Sequence, residues 1–143
     1  MLSRVMIEKP EVSGRVLWPG QVGDFNVIHV VDDIYELRYL QEPVVMTGAN
    51  VTTVMRLPRP HRLLAAFFEH TTAAGAENNN ANAVRFDYEE GSRWKQIYTD
   101  AAAVWADASL DIEKELGPTR YRLQCNTTNT HLIYVSLKVE ARA

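Results

Sequence analysis

From Ile133 onward the chain alternates: Ile133, Val135, Leu137 and Val139 share one parity, while Tyr134, Ser136, Lys138 and Glu140 share the other. A period of two belongs to a strand with one dry and one wet face, because a helix repeats its apolar positions every three or four residues. A slip of one residue would turn all four aliphatic side chains to water, so the orientation of this strand is tightly specified. Residues 119–126 alternate too, with Tyr121, Leu123 and Cys125 opposed to Arg120, Arg122 and Gln124. Between the two runs lie Asn126 and Asn129, which tolerate positive φ. The pattern predicts a terminal antiparallel hairpin of residues 119–126 and 131–140, with Ile133, Val135, Leu137 and Val139 facing in.

The rest of the chain repeats this grammar. Residues 25–57 hold three β-rich runs, FNVIHVV, IYELRYL and VTTVMRL, the last after a turn at Gly48, Ala49 and Asn50. RLLAAFFEH is apolar at both parities, so periodicity alone does not separate strand from helix; its shortness and the following Thr71 and Thr72 favour strand. Residues 73–83 are polar and of low complexity and read as an exposed loop. VRFDY and RWKQIY flank Gly91 and form a second hairpin, DAAAVWADA reads as loop or a single helical turn, and SLDIEKEL returns to alternation. Nine or ten strands at intervals of roughly 8–12 residues are the spacing of an antiparallel sandwich or barrel. The expected fold is all-β: an antiparallel β-sandwich, jelly-roll-like, over residues 25–143, preceded by an extended arm over residues 1–24.

At 143 residues the chain suits one domain. Its net charge of −3 comes from interspersed signs, with no basic stripe, so no nucleic-acid partner is expected. The charged opening residues and the short apolar run LLAAFF argue against a signal peptide and a membrane span, which predicts synthesis in the cytoplasm and no membrane partner. The lone Cys125 excludes an intrachain disulfide and, from its parity with Leu123, reads as a small buried hydrophobe.

Motifs for chemistry are sparse. His29, His61, His70 and His131 lack metal-ligand spacing, and no phosphate loop, nucleophile elbow or paired-cysteine motif occurs. No metal or cofactor is therefore expected. Asp32, Asp33 and Glu36, or Glu89 and Glu90, are the residues a hydrolase would use, although adjacent carboxylates of this kind commonly serve turns. Trp18, Trp94 and Trp105, with the asparagines at 78–80, suit a carbohydrate-binding module, because sugar rings stack on indoles and their hydroxyls bond amides. Core or subunit contact is the simpler use of the tryptophans. Asn50 and Asn126 begin glycosylation triplets that turn chemistry also explains.

The layout as a whole, a Pro/Gly-punctuated arm (EKPEVSGRVLWPGQVGDF), a compact β-sandwich carrying TGANVTTVMRLPRPH, a polar Ala/Asn loop and a terminal hairpin, resembles the decoration (cement) proteins of tailed-phage capsids. The resemblance implies a non-enzymatic virion protein, typically a homotrimer, that clamps the major capsid protein from outside the shell, and it transfers no functional residues. From the residues themselves, the arm combines Val12, Val16, Leu17, Trp18 and Val22 with two prolines and three glycines, which suits a contact surface better than a central strand. The expectation is that these five residues pack on a neighbouring molecule, with Trp18 as anchor. The competing possibility is that the arm adds an edge strand to its own sheet.

Overall fold

A computed structural model describes residues 16–48, 50–72, 84–99, 108–125 and 130–143. Among them are eleven strands: β1 (Gln21–Val22), β2 (Phe25–Val31), β3 (Ile34–Tyr39), β4 (Val44–Thr47), β5 (Val51–Leu57), β6 (His61–Thr72), β7 (Val84–Glu90), β8 (Arg93–Thr99), β9 (Ala108–Leu116), β10 (Thr119–Cys125) and β11 (Thr130–Ala141). They make two antiparallel sheets that pack face to face as a β-sandwich. The larger has the order β9-β6-β11-β3-β2-β1, with β4 also on β11, and the smaller has the order β5-β10-β7-β8.

Alternation produces the core directly. On β11 the side chains of Ile133, Val135, Leu137 and Val139 are buried, and on β10 so are Tyr121, Leu123 and Cys125. The two layers meet through aromatic contacts. Phe86 of β7 stacks on Tyr121 of β10 at 5.7 Å and meets Phe68 of β6 across the gap at 4.8 Å, and Phe25 of β2 stands edge-on to Tyr121 at 6.3 Å. Such pairs add roughly 0.5–1.5 kcal/mol each beyond the area they bury.

The predicted terminal hairpin is not formed. β10 pairs with β5 and β7 in the smaller sheet, whereas β11 lies in the larger sheet between β6 and β3, with β4 beside its first residues. Alternation states which side of a strand is dry, and both strands do turn that side to the core, but it does not name the neighbour. The four residues separating Cys125 from Thr130 span at most roughly 14 Å when extended, enough to cross the roughly 10 Å between packed sheets. The hairpin of β7 and β8 is present as expected, with Gly91 at φ 66°.

The ambiguity of RLLAAFFEH has a geometric cause. β6 pairs with β11 through Leu63 opposite Val139 and Ala65 opposite Lys138, so Leu64 is an extra residue and the parity flips there. His61 and Leu63 face in before the bulge, and Ala66 and Phe68 face in after it. β4 was absent from the sequence reading, being four residues long and too short for a pattern to register, whereas the two-residue β1 adds to the edge of the larger sheet, the competing possibility stated for the arm. The loop or helical turn expected for DAAAVWADA falls outside the described residues up to position 107, with Ala108 already in β9, and the loop at 73–83 lies outside them too.

The part of the predicted arm that the structure describes, residues 16–24, belongs to the sandwich. Val16 N donates to Asp33 Oδ1 at 2.8 Å, Trp18 N donates to Tyr35 Oη at 3.0 Å, and Tyr35 Oη donates to the Val16 carbonyl at 2.9 Å. Trp18 stacks on Tyr35 at 5.7 Å and is 7 % exposed. At the turn into β2, Gly23 has φ 58°, and a Cβ there would lie 2.3 Å from the Arg56 carbonyl oxygen. This close approach lets Asp24 join the sheets: its N–H donates to Arg56 O, and its Oδ2 accepts from Arg56 N.

Candidate functional site

Each sheet turns alternate residues outward, and the two outer faces are chemically unlike. On the larger sheet the outward residues of β2, β3, β11 and β6 enclose two adjoining depressions of about 330 and 360 Å³ that share Glu36, Phe67 and Ser136. The bulge at Val30, between His29 and Val31 on β2, accompanies a side chain that lines one depression. Tyr134, Arg38, Glu42 and Glu69 line the other. At the centre Glu36 Oε2 accepts from Arg38 Nε at 3.1 Å and from Ser136 Oγ at 2.9 Å. Around this polar centre stand solvent-facing apolar side chains: Val30 is 53 % exposed, Ile28 43 % and Phe67 40 %.

The outer face of the smaller sheet is a charge lattice. Asp87 is fully buried, accepting from Arg85 Nε at 2.7 Å on one oxygen and from Arg122 Nε at 2.8 Å on the other. Arg120 makes a bidentate pair with Glu89 at 2.8 and 2.6 Å, and this hydrogen-bonded guanidinium holds the Glu89 carboxyl below the usual carboxylate range. Trp94, opposite Glu89 on β8, has the Arg122 guanidinium 4.3 Å from its ring centre and that of Arg120 at 5.4 Å. The contact occupies ring surface that a sugar would need.

The sequence-predicted residues are not gathered into one site. Of the arm set, Val16 is half-buried, Leu17 is 56 % exposed, and Val12 lies outside the described residues. Trp18 and Val22 are core residues of their own sandwich. The expectation that Trp18 is buried against a neighbour is thereby corrected: Tyr35, an inward residue of β3, offers both a stacking face and a hydroxyl to the chain's own Trp18. Asp33 serves as the cap for Val16, Asp32 is a turn residue at φ 48°, and Glu36 lies on the outer face, so these three carboxylates do not share a cleft. Glu89 pairs with Arg120, and Glu90 with both Lys95 and Lys114. Cys125 is buried, as its parity implied. Trp105, His70 and the asparagines at 78–80 fall outside what the structure describes of side chains.

His61 is the buried polar group of greatest chemical interest. Its Nδ1 bonds the Arg59 carbonyl at 2.8 Å, and since a carbonyl only accepts, Nδ1 carries the proton. Nε2 then accepts from Tyr121 Oη at 2.7 Å, a hydrogen bond between the two sheets. Burial holds the imidazole below its ordinary pKa and raises that of the Tyr121 hydroxyl, so both are neutral. The pair fastens the layers together. Among the described residues no group of three or more His, Cys, Asp or Glu side chains is placed to hold a metal ion.

The apolar outer-face residues Ile28, Val30, Phe67 and Tyr134 were not singled out in the sequence. The signal was present: FNVIHVV and RLLAAFFEH carry apolar residues on both parities, more than one buried face can absorb. The chain matches no protein-family model and no curated protein.

Proposed function

We propose that this chain is a non-enzymatic structural protein of a virion, decorating and stabilising a tailed-phage capsid by docking as an oligomer, a homotrimer, on the outer surface of the major capsid protein. The observation that carries the reading is the outer face of the larger sheet, where Ile28, Val30, Phe67 and Tyr134 stay in solvent around the Glu36, Arg38 and Ser136 centre. An apolar patch with polar groups among it is the composition of a protein contact, and its residues come from strands, which hold it rigid without an ordering cost on binding. On a shell, many such contacts act together, so a weak single contact suffices for full occupancy.

The test is co-sedimentation of the purified protein with empty shells assembled from the major capsid protein of the same genome, alongside its mass in solution. Saturable binding at a fixed ratio to capsid subunits, lost in Phe67→Ser and Val30→Ser variants that melt like the wild type, supports the reading. Absence of binding to mature shells at micromolar concentrations overturns it.

A further inference from the structure

The smaller sheet presents a second, different surface. Its register turns Arg56, Arg120, Arg122 and Arg85 outward together with Asp87 and Glu89, and Asp24 lies 3.8 Å from the Arg56 Nε, so four guanidinium groups face three carboxylates on a chain whose net charge is −3. Depth separates the signs further. The side chains of Arg56, Arg120 and Arg85 are 70 %, 51 % and 42 % exposed and that of Arg122 20 %, whereas Asp87 is fully buried, Glu89 is 21 % exposed and Asp24 30 %. The carboxylates thus act as a floor that aligns the arginines, and most of the charge that reaches solvent is positive, carried by Arg56, Arg120 and Arg85.

The bonding leaves capacity for a ligand. Arg85 and Arg122 are held to Asp87 through Nε, and their terminal amino groups have no partner among the described residues. A guanidinium fixed at Nε and open at its ends is a planar fork suited to a carboxylate, and the Trp94 ring 4.3 Å from the Arg122 guanidinium limits the orientations that fork can take. The cations of this outward set are all arginine, interleaved with an indole, residue types enriched at protein interfaces.

We propose that the outer face of β5, β10, β7 and β8 is a docking surface for a carboxylate-rich segment of a partner protein, read by Arg85, Arg120 and Arg122. The inference rests on the reading above only in taking the partner to be a protein, and it assigns that partner acidic chemistry.

The experiment measures fluorescence anisotropy of a labelled twelve-residue Glu/Asp-rich peptide, and of a labelled oligonucleotide of equal charge, against the full chain at low and high salt. The peptide is expected to bind at low salt and to weaken at least tenfold in the Arg85→Gln/Arg120→Gln variant, while Phe67→Ser on the opposite face binds as wild type. Should the double variant fail to fold, Arg85→Lys/Arg120→Lys keeps the charge and removes the fork, and its binding is expected to fall several-fold. Peptide binding that either arginine variant leaves unchanged overturns the proposal, as does preferential binding of the oligonucleotide. If shells bind the wild type and the arginine variants equally, this inference fails and the decoration reading stands; if the peptide binds through the arginines but shells do not bind, the reverse holds.

Discussion

The two outer faces are built on the same alternation and reach opposite chemical ends. On the smaller sheet Asp87 and Glu89 hold the arginines through short charge-assisted bonds, so the face is internally organised before any partner arrives. On the larger sheet Val30, Ile28 and Phe67 stand in water with a small polar centre between them, and nothing in the described residues covers them. The period of a strand decides that a residue is outside; the residue type decides whether outside means satisfied or still open to contact. The first face should therefore contribute to stability as a network, whatever its arginines offer to a partner, and the second should be nearly silent in stability while mattering for association.

The largest expected effect calibrates both faces against the core they share. Leu137→Ala, fully buried on β11, should destabilise by about 2–5 kcal/mol, and its neighbour Lys138→Ala by less than about 0.5 kcal/mol, in urea unfolding. Next comes Asp87→Ala, which leaves Arg85 and Arg122 without their common acceptor. Loss of one partner from a buried pair costs about 3–5 kcal/mol, and the solvent access of the two arginines reduces this to about 2–3 kcal/mol here. A loss no greater than that of Phe67→Ser would erase the proposed contrast between the faces.

A third effect tests the hydrogen bond between the sheets. The pKa of His61 is lowered in the folded chain by burial, against weaker opposing contributions from the Arg59 carbonyl and Glu115. The unfolded chain therefore takes up the proton first as pH falls. Stability is fully present above the ordinary histidine value of about 6.5 and declines below it until the lowered folded value is reached. The urea midpoint should drop between pH 7.5 and 5.5, and less so in His61→Gln; equal slopes in the two proteins would assign the drop to other groups. The smallest effects belong to the solvent-exposed residues of the two faces. Phe67→Ser should shift stability by less than about 0.5 kcal/mol. Arg120→Gln should produce a minor change that shrinks further in high salt, because both members of its pair with Glu89 reach solvent.

Much of the architecture was legible locally. Ile133, Val135, Leu137 and Val139 are buried as their parity required, and Gly91 closes the hairpin where a positive φ was needed. Less legible were features that depend on a neighbour. Leu64 flips the parity of β6 because β11 does not match it residue for residue, and no pattern within RLLAAFFEH announces this. Trp18, Val16 and Val22 read as an unattached arm because prolines and glycines break their run, yet Tyr35 and Asp33, seventeen residues on from Trp18 and Val16, supply the bonds that hold it. The outer faces lay between these extremes: the surplus of apolar residues was countable, but which of them share a depression depends on sheet order.

What the sequence determined by itself is therefore the all-β class, the dry side of most strands and the places where the chain turns, since each follows from side-chain type and backbone sterics within a few residues. Only the tertiary structure decided that β10 and β11 belong to different sheets, that Trp18 lies in its own core, and that the arginines of one sheet converge on Asp87. Those outcomes depend on which strands become neighbours. Every exposed strand edge offers similar backbone hydrogen bonds, so the selection falls to the packing of both inner faces at once, a condition on the whole chain that no short stretch records.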